Sequence, residues 1–208
     1  MNAATQARIG LHYSLFEEEA TDTSRETLGL TAAVDFDRPD GSFTLGFAAD
    51  DTPDGTRLSV DFGRTYTLPT GSLSASIGLT RGTDAELYAT GNLQMRYTLP
   101  RGALTASLNR SVGPGSDDAE EIVTSLSLGA HNALTPVSNI GVNLAFVRAE
   151  EAAETTDITS FGVTYDYALG PDWSLSAGYG FQQRDDAGGS ANASSVSLTL
   201  SRTFDFRP

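Results

Sequence analysis

Two histidines, a scatter of hydroxyls and a set of aspartates are the only side chains in this sequence whose types suggest chemistry. His12 and His131 are the only imidazoles. Either could serve as a base for a neighbouring serine such as Ser14, but nucleophilic catalysis needs nucleophile, base and orienting group to converge. No local motif gathers such a set, so the chain is not expected to be an enzyme, and a hydrogen-bonded structural histidine is the better reading. Asp35, Asp61, Asp166 and Asp205, with Arg8 and Arg96, form a second group. All six fall on the polar side of alternating segments, close to one end. That arrangement suits either a charged constriction that selects ions or ion pairs bracing a wall, with Arg8 placed to meet Asp205. Acidic runs such as Glu17-Glu18-Glu19 and Asp117-Asp118 could attract divalent cations, but no calcium-loop spacing occurs. There is no cysteine, and Gly113-Pro114-Gly115 lacks the strand–glycine–helix context of a phosphate cradle. No cofactor or metal is expected.

The elements that must position these residues are written in a period of two. Ala7, Ile9, Leu11, Tyr13 and Leu15 alternate with Arg8, Gly10, His12, Ser14 and Phe16. Leu87 to Leu99 alternate in the same way, with Tyr88, Thr90, Asn92, Gln94, Arg96 and Thr98 on the polar side. The pattern predicts about twelve strands, near 7–16, 27–36, 42–49, 57–68, 73–81, 87–99, 103–112, 122–134, 140–149, 158–169, 173–182 and 194–206. Pro39, Pro69, Pro100, Pro136, Pro171 and Pro208 each follow an even-numbered segment, where a residue that cannot donate to a ladder belongs. Tyr66-Thr67-Leu68-Pro69-Thr70-Gly71-Ser72-Leu73 and Tyr97-Thr98-Leu99-Pro100-Arg101-Gly102-Ala103-Leu104 form an internal repeat. The acidic residues gather at the other ends. Short turns on one side and longer loops on the other are the asymmetry of outer-membrane barrels, with the acidic side outermost.

The composition decides which face meets what. The 208 residues carry a net charge of −14, and all thirteen basic residues are arginine. A nucleic-acid surface is excluded, since phosphate binding needs a basic stripe. The absence of lysine is unusual for a water-exposed sheet, and the polar faces are mostly Ser, Thr, Gly, Ala and Asn. Small residues fit the inside of a closed barrel, leaving the Leu-, Val- and Phe-rich face for lipid. Aromatics fall in two bands on that face. Tyr66, Tyr97, Tyr167, Trp173, Phe204 and Phe206 mark the proline end, and Tyr13, Phe47, Phe146, Phe161, Tyr179 and Phe181 the acidic end. Such bands suit the two membrane interfaces. Arg64, Arg110, Arg148 and Arg202 also fall on the apolar face, where they should snorkel to an interface or, for Arg64 and Arg202, mark a bulge.

The last segment, Val196-Ser197-Leu198-Thr199-Leu200-Ser201-Arg202-Thr203-Phe204-Asp205-Phe206, resembles the C-terminal strand signal of bacterial outer-membrane β-barrels, although Arg207 and Pro208 follow its final aromatic. The resemblance implies outer-membrane localisation, a lipid environment and recognition by the barrel-assembly machinery. The fold expected is one domain spanning 1–208, a closed up-and-down antiparallel transmembrane barrel of about twelve strands. The function expected is a narrow, cation-preferring passive pore for ions or small solutes. The alternatives are the anchor or translocator barrel of a larger autotransporter-like surface protein, or an adhesive barrel acting through its acidic loops. The sequence does not specify an oligomeric state.

Overall fold

The structure is a computed structural model that describes residues 4–18, 23–53, 55–115, 120–151 and 154–204. It consists of twelve antiparallel strands: β1 (Thr5–Glu18), β2 (Thr23–Arg38), β3 (Gly41–Thr52), β4 (Gly55–Leu68), β5 (Gly71–Arg81), β6 (Leu87–Leu99), β7 (Gly102–Pro114), β8 (Glu120–Thr135), β9 (Ser138–Glu151), β10 (Glu154–Ala168), β11 (Trp173–Asp186) and β12 (Gly189–Arg202). They form one sheet in sequence order. The strands run 11 to 16 residues, enough for the roughly 9–11 a tilted strand needs to cross a bilayer.

The sheet hides no hydrophobic core. Among the described residues the only buried apolar residue is Ala103, whereas Ile9, Leu45, Ile77, Leu128 and Leu144 are all exposed. A soluble sheet would bury that face, because each large aliphatic side chain gains about 1.5–3 kcal/mol from leaving water. Here it points outward throughout, as alternation and the missing lysines predict.

The polar face is the concave one. Arg57 on the polar side of β4 meets Glu120 at the start of β8, four strands on, with Nη2 to Oε2 at 2.7 Å. In a flat sheet those strands would stand roughly 19 Å apart. The sheet therefore curls toward its polar face, and the small side chains line the inside of the curve.

Five prolines stand where punctuation requires them. Pro39, Pro69, Pro100 and Pro136 open two-residue turns, and Pro171 lies in the four-residue connection from β10 to β11. Pro208 lies outside the described residues. The repeated Pro-Xaa-Gly turn has a steric reason. A Cβ on Gly41 would stand 1.8 Å from the Thr65 carbonyl oxygen, and one on Gly71 would stand 1.9 Å from that of Arg96. The preceding turn residue accepts a bond from the next even strand, Thr67 N–H to Asp40 O at 2.8 Å and Thr98 N–H to Thr70 O at 2.6 Å. Each turn thus lies against a neighbouring strand, and only glycine lets the backbones approach so closely.

Two expectations need correction. The acidic ends are not long loops: two to five residues separate the strands there, against two to four at the proline end. The ladders simply continue outward and carry the acidic residues with them, because those residues find partners across strands. Thr56 donates to Asp51 at 2.9 Å, and Arg148 meets Asp157 at 2.8 Å. The ladder between β11 and β12 likewise continues to Asp186 and Gly189, so β12 begins five residues earlier than expected. The second concerns the bulge foreseen at Arg64 or Arg202. Pairing is regular at both positions, and the register shift lies instead between Ala133 and Thr135.

Candidate functional site

The concave face has two unlike ends. At the proline end, the sequence-predicted charged residues are held singly or in one pair. Arg8 Nη2 lies 2.6 Å from Asp35 Oδ2, and Thr44 donates to the other Asp35 oxygen at 2.6 Å. Arg8 therefore pairs within its own hairpin. Its supposed partner Asp205 lies outside the described residues. Asp61 lies flat over Gly46, where a Cβ would come within 2.3 Å of its Oδ1. Asp166 accepts a hydrogen bond from Ser176. Arg96 borders a polar cavity of about 290 Å³ with Ser72, Ser74, Gln94, Ser107 and Ser127. The structure brings Arg8 and Asp35 together and leaves Asp61, Arg96 and Asp166 without an ion pair among the described residues.

The acidic end is more tightly built, and sequence reasoning missed it. His12, Gly29, Asp50 and Arg57 share one register row across β1 to β4. Gly29 makes room for His12 to reach Asp50. A Cβ there would meet the imidazole at 1.8 Å and the carboxylate at 2.4 Å. His12 Nε2 and Asp50 Oδ1 stand 3.4 Å apart, an ion pair only when the histidine is protonated. Next in the row, Arg57 grips Glu120, whose other oxygen accepts from the Thr83 amide at 2.6 Å and the Thr83 hydroxyl at 2.9 Å. The side chains of Arg57 and Glu120 are 10% and 2% exposed. Thr80, beside them, is buried and shares a 3.1 Å hydroxyl contact with Ser59. A buried charged pair is favoured when its remaining polar atoms are bonded; Glu120 meets that condition with three donors, whereas Arg57 Nε is buried without a hydrogen-bond partner among the described residues. The tie draws the β5–β6 connection and the head of β8 onto β4. From the start of β6, Tyr88 donates to Asp84 of that connection and holds its carboxyl below the usual carboxylate range. In sequence, Arg57 alone among acidic neighbours was a weak signal. Its partner lies 63 residues away.

On the outer face three of the four arginines find specific shelters. Arg64 lies between two rings, 4.1 Å from the Phe43 centroid and 4.3 Å from that of Tyr66, and donates to Asp40 at 2.6 Å. Its guanidinium holds the Asp40 carboxyl below the usual carboxylate range. Arg202 repeats the arrangement against Trp173 at 5.3 Å and Phe204 at 4.6 Å. In both, one ring belongs to the directly paired residue and the other lies two positions onward along the chain. Tyr97 and Tyr167 are likewise exposed on this face, and Phe206 lies outside the described residues. At the other band Arg148 binds Asp157 through two bonds of 2.8 Å.

An antiparallel up-and-down sheet with an apolar outer face and a small-residue polar interior defines the chain as an outer-membrane β-barrel protein. A family model described as Gram-negative porin matches residues 3–187, and the chain belongs to that family and to the bacterial outer membrane. Among solved structures, in-vitro folded OmpT, an outer membrane protein of Vibrio cholerae, is similar with a TM-score of 0.51 at 12% identity, over 98% of this chain and 81% of that one. The β domain of the Bordetella autotransporter Brka aligns over 97% of this chain and 99% of that one, at 17% identity and a TM-score of 0.32. The first likeness is one of fold. No curated protein matches the chain by sequence.

Proposed function

We propose that the chain closes into a twelve-stranded barrel and forms a narrow passive pore for ions or small solutes, with the acidic end outside the cell and cations preferred. The observation that carries the reading is the inversion of polarity: apolar side chains cover the outside, and serines, threonines and charged pairs line the inside. Membership of the porin family supports a pore over an anchor or translocator barrel. A net charge of −14, concentrated at one entrance, concentrates cations there. The reading assigns no catalytic role. Bilayer recording tests it. Discrete cation-selective steps are expected, and a barrel that inserts but passes no current overturns it.

Closure is part of the proposal, because a bilayer does not tolerate unpaired strand edges. In the described ladders β1 and β12 are the two ends of the order, and their apolar residues, such as Ile9 and Val196 at 81% and 82%, are the most exposed. The turn bonds supply a seam register. Thr67, Thr98, Ala133, Ala168 and Thr203 donate to Asp40, Thr70, Arg101, Val137 and Asp172, and Asp37 donates to Ala4 in the same way. Ala4 thus occupies before β1 the place those turn residues occupy before the other odd strands. Two residues beyond the turn acceptor, Ser42 pairs with Asp37 and Ser72 with Thr67. The equivalent seam pair is Gln6 with Thr203, and both lie on the concave face. Gln6→Cys combined in turn with Ser201→Cys, Thr203→Cys and Asp205→Cys is expected to cross-link best at 203. No cross-link in any of the three overturns closure.

A further inference from the structure

The outer face carries a groove of about 420 Å³ between β5 and β8. It exists because small residues interrupt the apolar surface. Gly91 stands between Ile77 and Arg110 in one register row, and Ala75 stands beside Leu93 in the row below. Leu93 and Leu108 form the wall, and the groove ends at Arg110 and Thr124. Arg110 donates to the Thr124 hydroxyl at 2.8 Å. Its only carboxylate neighbour among the described residues is Glu150, at 3.9 Å, too long for a hydrogen bond, so donors remain uncommitted. Thr124 pairs on its other side with Arg148. Two outward arginines, 42% and 44% exposed, therefore flank one threonine in one row, roughly 10 Å apart at the backbone. Asp157 neutralises Arg148, which makes Arg110 the stronger anion ligand.

An arginine on a lipid-facing surface has one abundant partner, the phosphate of a lipid headgroup. An apolar groove leading from that arginine toward the middle of the wall matches what hangs from such a phosphate. We propose that this face binds one phosphate-bearing anionic lipid of the leaflet on the acidic-loop side, its phosphate on Arg110 with Arg148 and Thr124 and one acyl chain in the groove over Gly91 and Ala75. The arrangement at the proline end differs. Arg64 there already has Asp40 and two rings, and its side chain is only 11% exposed.

The inference rests on the outer face meeting lipid, and the experiment separates the two claims. The full chain is reconstituted into vesicles of equimolar phosphatidylglycerol and phosphatidylcholine, extracted gently, and its retained lipid counted by native mass spectrometry. Wild type is expected to retain phosphatidylglycerol in preference. Arg110→Gln is expected to lower that preference about fivefold, the scale of one basic side chain at an anionic surface. Arg148→Gln is expected to lower it less, and Arg110→Lys to keep most of it. Ala75→Phe leaves both arginines in place and fills the groove, and it too is expected to lose the lipid. Unchanged lipid retention in folded Arg110→Gln and Ala75→Phe overturns the site. A chain that inserts into neither this mixture nor pure phosphatidylcholine overturns the lipid-facing reading itself.

Discussion

The two ends of this molecule solve the same problem, finishing twelve strands at a water boundary, by different means. The proline end is built locally and repeatedly. A Pro-Xaa-Gly turn recurs, its acceptor carbonyl takes a bond from the next even strand, and Arg64 and Arg202 stack against aromatics at the same relative positions. The acidic end depends on one buried non-local ion pair, Arg57 to Glu120 with Thr83. A repeated design spreads stability over many small terms, so losing one turn is a local injury. A single buried ion pair concentrates it, because the survivor of a broken pair is left charged and without a partner.

That contrast can be broken in order of effect. Glu120→Gln should be the most damaging, leaving Arg57 buried without its counter-charge at a cost of roughly 3 kcal/mol. Its thermal midpoint should fall well below that of wild type, and bilayer current should become noisier as the β5–β6 connection is freed. A variant with wild-type stability and quiet steps would show that the tie is not what orders this end. Gly71→Val comes next, because the added Cβ collides with the Arg96 carbonyl. Forcing a β-branched residue into such backbone costs about 1–3 kcal/mol, to be read as a reduced yield of folded barrel. Conductance of the fraction that folds should be unchanged, since the opposite end is intact.

Arg202→Gln removes a cation stacked on Trp173 and Phe204, worth about 0.5–2 kcal/mol. It should red-shift tryptophan emission without altering current, and unchanged emission would argue against the stack. The smallest effect belongs to Asp40→Asn. Because Arg64 holds the Asp40 carboxyl below its ordinary range, the pair contributes at pH values above that range and is lost as acidification protonates the carboxyl. Wild type and Asp40→Asn should thus differ slightly in unfolding midpoint at neutral pH and converge in acid. A difference that grows on acidification would contradict the assignment.

Much of the fold was legible because its signals are local. Alternation in Leu87–Leu99 settles which residues share a face, and a proline at 69 or 100 can only end a ladder. The failures share a cause. The acidic residues look like loop material, since charge clusters at strand tips and in loops are alike in composition. Only cross-strand partners such as Arg148 for Asp157 show that the ladder continues. The shelter of Arg64 was half readable: Tyr66, two positions on, lies on the same face by alternation, but Phe43 joins only through the register of β3 with β4.

By itself the sequence determined twelve strands, two faces of opposite polarity and the rim at which the chain turns, because period, proline and glycine act within a few residues. It also determined, by withholding lysine, that one face would not meet water. The tertiary structure alone decided which charged groups meet. Register set Arg8 against Asp35, and curvature carried Arg57 across four strands to Glu120. Electrostatic pairing depends on distance in space, and a sheet that curls brings together residues whose separation along the chain holds no trace of it.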